Sequence, residues 1–173
     1  MLIINLYISY PMYSFHNKDT ELYVICQFIL TERQTYNLLN NHNNEYNFIS
    51  IQFFDCRETN FRYTNDKCAE IEKNIKNALK KVIVDINLDL TVIICSTTVN
   101  YSEILNYVLY GLIKEGIDLQ LLYVAIGNEI DFCLYDLSNN IIYTTTEEPQ
   151  YLPNNFEFNK TKLLDIVSEL INY

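Results

Sequence analysis

The order of strand-like and helix-like segments constrains the fold of this chain more than any other feature of its sequence. Short apolar or alternating runs predict strands over Leu2–Ser9, Leu22–Leu30, Tyr46–Phe54, Leu90–Val99, Leu119–Ile126, Ile130–Asp136 and Ile141–Thr146. Two of these strands meet at Gly127-Asn128, a pair that is typical of a two-residue hairpin. The polar, Asn-rich segment Thr31–Glu45 predicts a loop.

Three further stretches have the periodicity of helices. The first carries an apolar stripe of Cys68, Ile71, Ile75, Ala78, Leu79 and Val82. The second carries a stripe of Ile104, Leu105, Val108, Leu109 and Leu112. Asn100 followed by Glu103 predicts a capping-box-like start for this helix, and Gly116 stands where a C′ glycine ends one. The third helix is predicted over Thr161–Ile171.

The predicted order of elements is therefore β-β-β-α-β-α-β-β-β-α. Strands joined by hairpins and interrupted by two central helices favour an α+β fold, in which a sheet carries helices packed on one face. Fully alternating βαβ units are not visible, which argues against a doubly wound sheet. A length of 173 residues with 49% hydrophobic content favours one domain spanning residues 1–173.

The sequence also bears on the compartment of the protein. No apolar run approaches the roughly 18 residues of a membrane span, so no membrane partner is expected. The opening MLIINLYIS lacks a basic n-region and a small-residue cleavage site, which favours a strand over a signal peptide. The five cysteines are odd in number and widely scattered, a pattern typical of buried intracellular thiols. We therefore expect the nucleus or the cytosol.

The charge of the chain is concentrated in one segment. Residues 82–159 carry one basic residue, Lys114, against eleven acidic ones, which accounts for the whole formal net charge of −10. The same segment contains a strand running almost directly into a helix near Asn100, and such a helix N-terminus is a natural anion site. Here the turn has no glycine to let a phosphate approach and no Lys or Arg to hold one. The sequence therefore predicts an anion site that lacks its binding groups.

Four segments between Asn65 and Ser138 follow one another in an order that resembles a known family. They are a charged helix AEIEKNIKNALKKVI (Ala69–Ile83), a strand LTVIICSTTV (Leu90–Val99), a helix ILNYVLYGLIKEGIDL (Ile104–Leu119) and a hairpin LLYVAIGNEIDFCLYDLS (Leu121–Ser138). The order is similar to that of the RNase PH-like fold, a ribosomal protein S5 domain 2-like architecture that builds the hexameric ring of the RNA exosome.

Smaller features support the same resemblance. Gly116-Ile117 stands where the family has Ala-Gly-Ile, and the hairpin ends on Asp136-Leu137 as in the family. Upstream, Ser14–Leu30 is similar in shape to the family's first hairpin, and the last predicted helix matches its C-terminal helix in position. The order and spacing of elements carry the resemblance, since no single motif is specific.

The departures from the family concern its catalytic groups. Active members carry a Gly-Gly-x-Arg-like turn between the central strand and helix, and the matching positions here are Thr97, Thr98, Val99 and Asn100. Active members also carry further acidic residues after the Asp-Leu strand, whereas Asp136 is followed here by Ser138, Asn139 and Asn140. A phosphorolytic centre needs a bound anion and a placed acid or metal. We expect Thr97, Thr98, Asn100 and Asp136 to form a degenerate remnant site with no catalytic residue.

The other candidate residues are better explained as surface or core residues than as metal ligands or catalytic groups. Glu129 and Asp131 would share a strand face near Asp136, yet residues beside a hairpin turn are ordinarily solvated. His16 and His42 lack a nucleophile at any recognisable spacing. Cys95 in a strand and Cys68 in a helix stripe are typical core thiols. Glu147-Glu148 before Pro149 predicts an exposed turn. We therefore expect no metal and no cofactor.

The basic residues cluster on the first helix and just before it. Lys67, Lys73, Lys76, Lys80 and Lys81 would permit nucleic-acid contact, but a solvated face supported by pairs such as Glu72–Lys76 is the favoured interpretation. Arg57 and Arg62 precede the helix, and the resemblance implies that this loop faces the central pore of the ring. They are the residues from which we expect RNA contact.

The resemblance implies a non-catalytic structural subunit of the exosome core ring, acting in nucleus, nucleolus and cytoplasm. Its partners would be other RNase PH-like subunits and cap subunits, with RNA passing through the central channel during 3′-to-5′ processing and degradation. Two alternatives stay open at this stage. One is an acidic assembly chaperone or adaptor, such as a proteasome-assembly factor, which the net charge of −10 suits. The other is an active phosphorolytic exoribonuclease of the same fold.

Overall fold

The structure, a computed structural model, describes residues 12–17, 22–32, 49–55, 66–84, 88–97, 99–147 and 153–171. Within these ranges it contains the helices α1 (Asp66–Leu79), α2 (Tyr101–Lys114) and α3 (Pro153–Ile171), and the strands β1 (Met12–Asn17), β2 (Leu22–Glu32), β3 (Ile49–Asp55), β4 (Leu88–Ser96), β5 (Tyr123–Gly127), β6 (Phe132–Asp136) and β7 (Ile141–Thr144). Every predicted strand and helix from residue 22 onward has its counterpart here. The predicted strand Leu2–Ser9 lies outside the described residues.

The first four strands form one sheet in the order β1-β2-β4-β3. β1 pairs with β2 in an antiparallel hairpin, which confirms the first hairpin expected within Ser14–Leu30. β2 continues as an antiparallel neighbour of β4 along nine residue pairs, from Val24↔Ser96 to Glu32↔Leu88. Thr31 and Glu32, predicted to open a loop over Thr31–Glu45, belong to β2 instead. Residues 33–48 lie outside the described part of the chain.

β3 and β4 are parallel neighbours, joined in sequence through α1. This is one βαβ unit, which the sequence analysis did not recognise. Parallel strands require a crossover, and α1 supplies it by packing against β3. The direction of pairing depends on where α1 packs, so strand periodicity alone did not reveal it. A single such unit in a mixed sheet leaves the α+β class unchanged.

Alternation along the strands gives this sheet one buried face. Val24, Cys26 and Phe28 of β2 are at most 1% exposed, whereas the residues between them are half-exposed. β3 and β4 follow the same alternation. α1 packs against β3 and α2 packs against β2, so the expected placement of helices on one face is confirmed for this sheet.

The close contact between α2 and β2 depends on a glycine. A Cβ built on Gly111 would meet the Phe28 ring at Cε2 and, 2.6 Å away, at Cζ. Phe28 is 1% exposed and is packed against Tyr13, with ring centroids 5.8 Å apart. The missing side chain therefore lets the helix backbone approach the aromatic ring directly.

β5, β6 and β7 form a second, antiparallel sheet in that order. β5 and β6 are buried on both sides. One face shares a continuous core with the first sheet, α1 and α2. On the other face Phe156 of α3 packs with Val124, Ile126, Cys133 and Tyr135. The two sheets are thus linked through α2, which contacts both β2 and β5.

The hairpin between β5 and β6 forms at the predicted place but not with the predicted turn. Gly127 pairs with Phe132, so the loop is Asn128–Asp131 rather than a two-residue turn. The Asn128 side chain accepts hydrogen bonds from the backbone N–H of Ile130 at 2.7 Å and of Asp131 at 2.9 Å. The asparagine closes a wider loop with its own side chain, as Asx turns do.

The ends of α2 confirm the predicted caps. Asn100 Oδ1 accepts a hydrogen bond from the backbone N–H of Glu103 at 3.3 Å. At the other end Gly116 has φ of 73°, its N–H donates to Ile113, and the N–H of Ile117 donates to Leu112. These two bonds form a Schellman motif, for which glycine is favoured because it adopts positive φ without strain.

α3 begins eight residues before the predicted start, at Pro153 rather than Thr161. Proline is favourable in the first turn of a helix, where its missing N–H has no intrahelical partner to lose. Phe156, 2% exposed, lies against Tyr135 with ring centroids 6.1 Å apart. This tertiary contact holds the Asn-rich beginning of α3 against β6. The composition of that run alone did not predict a helix.

The described cysteines Cys26, Cys68, Cys95 and Cys133 form no disulfide with one another and are buried or half-buried, as the sequence predicted. Burial raises the pKa of the Cys26 thiol well above its ordinary range, which opposes thiolate chemistry at that position. Cys56 lies outside the described residues. Within the described ranges, none of the helices has the length and apolar character needed to cross a membrane.

Candidate functional site

The turn between β4 and α2 is the site where the sequence analysis placed a lost anion-binding group. Thr97, directly after β4, is held by β2: its N–H donates to the Tyr23 carbonyl at 3.3 Å, and its Oγ1 accepts from the Tyr23 N–H at 3.2 Å. The threonine therefore extends the sheet at its end. Thr98 lies outside the described residues.

Two of the N–H groups that open α2, those of Tyr101 and Glu103, are bonded to groups outside the regular helical ladder. The N–H of Tyr101 donates to the Asn128 carbonyl at 3.1 Å. The N–H of Glu103 donates to Asn100 Oδ1, and that of Ile104 donates to the Asn100 carbonyl at 3.0 Å. An anion at a helix N-terminus is held by such donors. Here the Asn100 side chain occupies the N–H of Glu103 and the β5–β6 loop occupies that of Tyr101, while the Ile104 bond is the first regular bond of the helix.

The charges around this turn do not favour a phosphate. Lys114 lies in the last turn of α2, and a helix rise of ~1.5 Å per residue puts it about 20 Å from Asn100. Lys162 of α3 comes closer to the first turn, because its charge interacts with Glu103. Its ammonium lies over the rings of Tyr107 and Tyr110, 5.0 and 5.5 Å from their centroids. Burial lowers the pKa of Lys162. This lysine is therefore engaged by aromatic rings and a carboxylate.

Asp136, the acid that persists from the family pattern, closes the turn between β6 and β7. Its Oδ1 accepts hydrogen bonds from the backbone N–H groups of Ser138 and Asn140, each at 2.8 Å, and its Oδ2 accepts from the Asn140 side chain at 2.8 Å. These bonds, those from Asn140 above all, lower the pKa of the Asp136 carboxyl. Asn139 at the tip of the turn has φ of 69°, a conformation that asparagine tolerates better than most residues.

The structure separates Asp136 from the turn that precedes α2. Asp136 pairs with Tyr123 at the beginning of β5, whereas the α2 N-terminus contacts Asn128, just after the end of β5. Five residue steps separate Tyr123 from Asn128, which corresponds to about 17 Å along the strand. Thr97 and Asn100 stand together, but Asp136 does not join them.

The remaining candidate residues are not brought together into a site. Glu129 is exposed, and Asp131 Oδ1 accepts a hydrogen bond from Thr145 Oγ1 at 3.4 Å. Among the described residues, no group of three or more His, Cys, Asp or Glu side chains is placed to hold a metal ion. His16 is exposed with its ring against Tyr23. Glu147 is exposed as well.

Several predicted positions cannot be placed. Arg57 and Arg62, from which RNA contact was expected, lie outside the described residues. So do His42, Glu148 and Pro149.

Sequence reasoning missed the polar clamp between α2 and β5. Asn106, 5% exposed, donates from Nδ2 to the Ala125 carbonyl at 3.0 Å and accepts from the Ala125 N–H at 2.9 Å. Ser102 Oγ also donates to the Ala125 carbonyl at 2.8 Å. Among the described strands β5 lies at an edge of its sheet, and Asn106 bonds the backbone on that edge as a neighbouring strand would. The signal was available: an asparagine stands among the apolar residues of the α2 stripe.

Comparisons with known proteins show which fold this chain shares. No family model matches the chain, and a comparison with curated proteins finds no match either. Among solved structures, rice (Oryza sativa) Rrp46 matches with a TM-score of 0.51 and 13% sequence identity, over 94% of this chain and 92% of that one. The fold is RNase PH-like. The likeness in fold agrees with the resemblance that the order of sequence segments predicted.

The match to an RNase PH-like structure shows the fold of the described residues but not whether they catalyse a reaction. At 13% identity, a fold match does not carry over catalytic groups, because function depends on the residues of a site rather than on the fold. In this chain the turn before α2 and the end of β6 are the two places where the family pattern would supply them. At these places the N–H groups of Tyr101 and Glu103 and the carboxylate of Asp136 form hydrogen bonds with other groups of the protein.

Proposed function

We propose that this protein is a non-catalytic structural subunit of an exosome-type ring, supporting 3′-to-5′ RNA processing and degradation by the complex. Its partners would be other RNase PH-like subunits and cap subunits. The fold match to Rrp46 supports the architecture. The composition of the two site regions supports the absence of catalysis.

One observation carries the proposal. Two backbone donors in the first turn of α2, the N–H groups of Tyr101 and Glu103, are hydrogen-bonded to Asn128 and Asn100, where a helix N-terminus that binds an anion would offer such donors to it. Phosphate binding would have to displace these bonds without help from a lysine or arginine in the turn. The acid that would act beside it, Asp136, is engaged by Ser138 and Asn140. These bonds support the proposal that the chain is not a phosphorolytic enzyme.

A phosphorolysis assay tests the catalytic half of the proposal. The purified chain, incubated with single-stranded RNA, Mg²⁺ and inorganic phosphate, is expected to show no phosphate-dependent shortening. Phosphorolysis that is lost in Asp136→Ala but retained in Asp118→Ala would establish an active exoribonuclease instead. Asp118 is an exposed aspartate distant in sequence from both site regions. Sulfate bound at Asn100–Ser102 in soaked crystals would also contradict the proposal.

Affinity purification from the native cells tests the structural half. A tagged chain is expected to bring down RNA-processing subunits in fixed proportion, including other RNase PH-like chains. Recovery of protease subunits instead would favour the assembly-chaperone alternative. The tagged chain is expected in the nucleus, the nucleolus and the cytoplasm, and fluorescence microscopy of the same cells checks this location.

A further inference from the structure

Three lysines lie along one face of α1 and the turn that follows it: Lys73 and Lys76 belong to the helix, and Lys80 comes directly after its last residue, with its N–H donating to the Lys76 carbonyl at 3.0 Å. Lys73, Lys76 and Lys80 are three and seven residues apart, a spacing that aligns side chains along a helix. Lys73 is exposed and the other two are half-exposed. We call these three residues the lysine stripe. It stands out because the formal net charge of the whole chain is −10.

The carboxylate expected to neutralise the stripe is used elsewhere. Sequence spacing predicted a Glu72–Lys76 pair, but Glu72 Oε1 accepts a hydrogen bond from the Phe53 N–H at 2.9 Å. Glu72 thereby covers the outer edge of β3. In the part of the chain that the structure describes, none of the three lysines forms an ion pair. One of the pairs from which a self-neutralised helix surface was predicted, Glu72–Lys76, is therefore replaced by a bond to β3.

The lysines of the stripe repel one another. Burial and the neighbouring charge of Lys80 lower the pKa of Lys76. Like charges four residues apart destabilise a helix, so the stripe has an unfavourable energy that a bound anion would relieve. A rise of ~1.5 Å per residue makes the stripe about 10 Å long, enough to follow a few successive phosphates of a strand.

The character of the surface around the stripe indicates the kind of anion. The exposed large apolar residues of the described chain are Met12, Tyr23, Leu121, Ile130, Ile141, Phe158 and Leu164. None of them is on α1. Protein interfaces have a desolvated core with aromatic or aliphatic anchors, which this helix face lacks. Contact with a phosphate backbone requires charge without such anchors.

We infer that the lysine stripe binds the phosphate backbone of a single-stranded nucleic acid, without sequence preference. The inference concerns the isolated chain and stands whether or not the chain joins a ring. Three phosphate contacts on a single strand correspond to a slope of about −2 in the dependence of log affinity on log salt. The absence of aromatic side chains from the exposed face of α1 predicts little discrimination between bases.

Fluorescence anisotropy of a labelled single-stranded RNA tests the inference, between about 50 and 200 mM salt. The triple variant Lys73→Gln, Lys76→Gln, Lys80→Gln is expected to weaken binding at low salt at least about tenfold and to flatten the salt slope. A DNA strand of the same sequence shows whether the ribose contributes. Glutamine is a good helix former, and circular dichroism of the variant checks that α1 remains folded.

A charge-matched control separates a local site from a general effect of net charge. Lys114→Glu with Gln120→Glu changes the net charge by the same amount, at exposed positions outside α1. It is expected to bind RNA like the parent chain. Equal weakening in both variants, or no binding by the parent chain, would overturn the inference. So would tighter binding of an acidic polypeptide such as polyglutamate, which would identify the stripe as a protein-docking surface.

Discussion

Asn106 is the residue whose role most depends on its surroundings. It lies in α2 among buried leucine and isoleucine side chains, yet both polar atoms of its amide bond the backbone of Ala125. A buried polar group is tolerated only when it is hydrogen-bonded. Asn106 meets this condition and at the same time satisfies the edge of β5. Its contribution is structural, because it holds α2 to the second sheet.

Replacing Asn106 by alanine is expected to destabilise the protein by about 1–3 kcal/mol, because the Ala125 N–H is left buried without a partner. Urea unfolding followed by circular dichroism measures the loss. Asn77→Ala is the control, since Asn77 is half-exposed on α1 and alanine has the higher helix propensity. A loss in Asn106→Ala no larger than in Asn77→Ala would contradict this role for the amide.

Asp136 makes the stability of the β6–β7 turn dependent on pH. Hydrogen bonds from Asn140 and Ser138 lower its pKa below the ordinary 3.8. A carboxyl whose pKa is lower in the folded state stabilises the protein when it is ionised. The parent chain should therefore be more stable than Asp136→Asn at neutral pH. This advantage should shrink as the pH falls from 3.8 through the lower value of the folded state.

Unfolding midpoints in urea across this acidic range check the prediction. Asp118→Asn, at an exposed aspartate, serves as the control. An advantage over Asp136→Asn that stays constant down to the lowest pH would show that the Asp136 carboxylate does not contribute through its charge.

At the scale of elements, α2 determines the arrangement of the fold. Its ends follow local rules, with Asn100 at the N-cap and Gly116 at C′. Its packing depends on tertiary contacts. Gly111 lets the helix approach Phe28 of β2, and Asn106 bonds the backbone of β5. One helix thereby connects two sheets that share no hydrogen-bonded strand pair in the described part of the chain.

Gly111→Ala is expected to destabilise the protein even though alanine favours helix. The added Cβ would overpack the buried Phe28 ring, which costs about 1–3 kcal/mol, against a gain of about 1 kcal/mol in helix propensity. In a Phe28→Leu background the clash is removed, so Gly111→Ala should become neutral or stabilising. A double-mutant cycle from urea unfolding measures this coupling. Equal effects of Gly111→Ala in both backgrounds would show that the ring does not constrain this position.

At the scale of the whole molecule, one hydrophobic core runs through both sheets. It includes Val24 and Phe28 of β2, Ile75 of α1, Tyr123 of β5 and Leu163 of α3. Elements that bury each other's apolar surfaces lose that burial together when one of them detaches. The two sheets are therefore expected to behave as one cooperative unit.

Native-state hydrogen exchange tests this cooperativity. Amides of β4 in the first sheet and of β6 in the second should exchange by global unfolding with the same free energy. Asn106→Ala should lower both values equally, although it contacts only the second sheet directly. Loss of protection in β6 alone would show that the second sheet opens independently.

The functional residues could be predicted only in part. The sequence placed the turn at Thr97–Asn100 between a strand and a helix and placed Asp136 at the end of a strand, since these positions depend on residue type and order; it did not reveal that the two are separated. It could not reveal that Asn128 and Asn100 bond the N–H groups of α2, because Asn128 lies on a distant loop. It also predicted a Glu72–Lys76 pair from helical spacing, whereas β3 offered Glu72 a backbone donor instead.

The sequence by itself determined what depends on neighbours along the chain: the order of elements from residue 22 onward, the alternation of strands and the caps of α2. These follow from side-chain periodicity and from backbone preferences that act within a few residues. Only the tertiary structure decided the parallel pairing of β3 with β4, the early start of α3 under Phe156, and the separation of Asp136 from Asn100. Each of these depends on burial and hydrogen bonding between segments far apart in sequence, which local patterns do not encode.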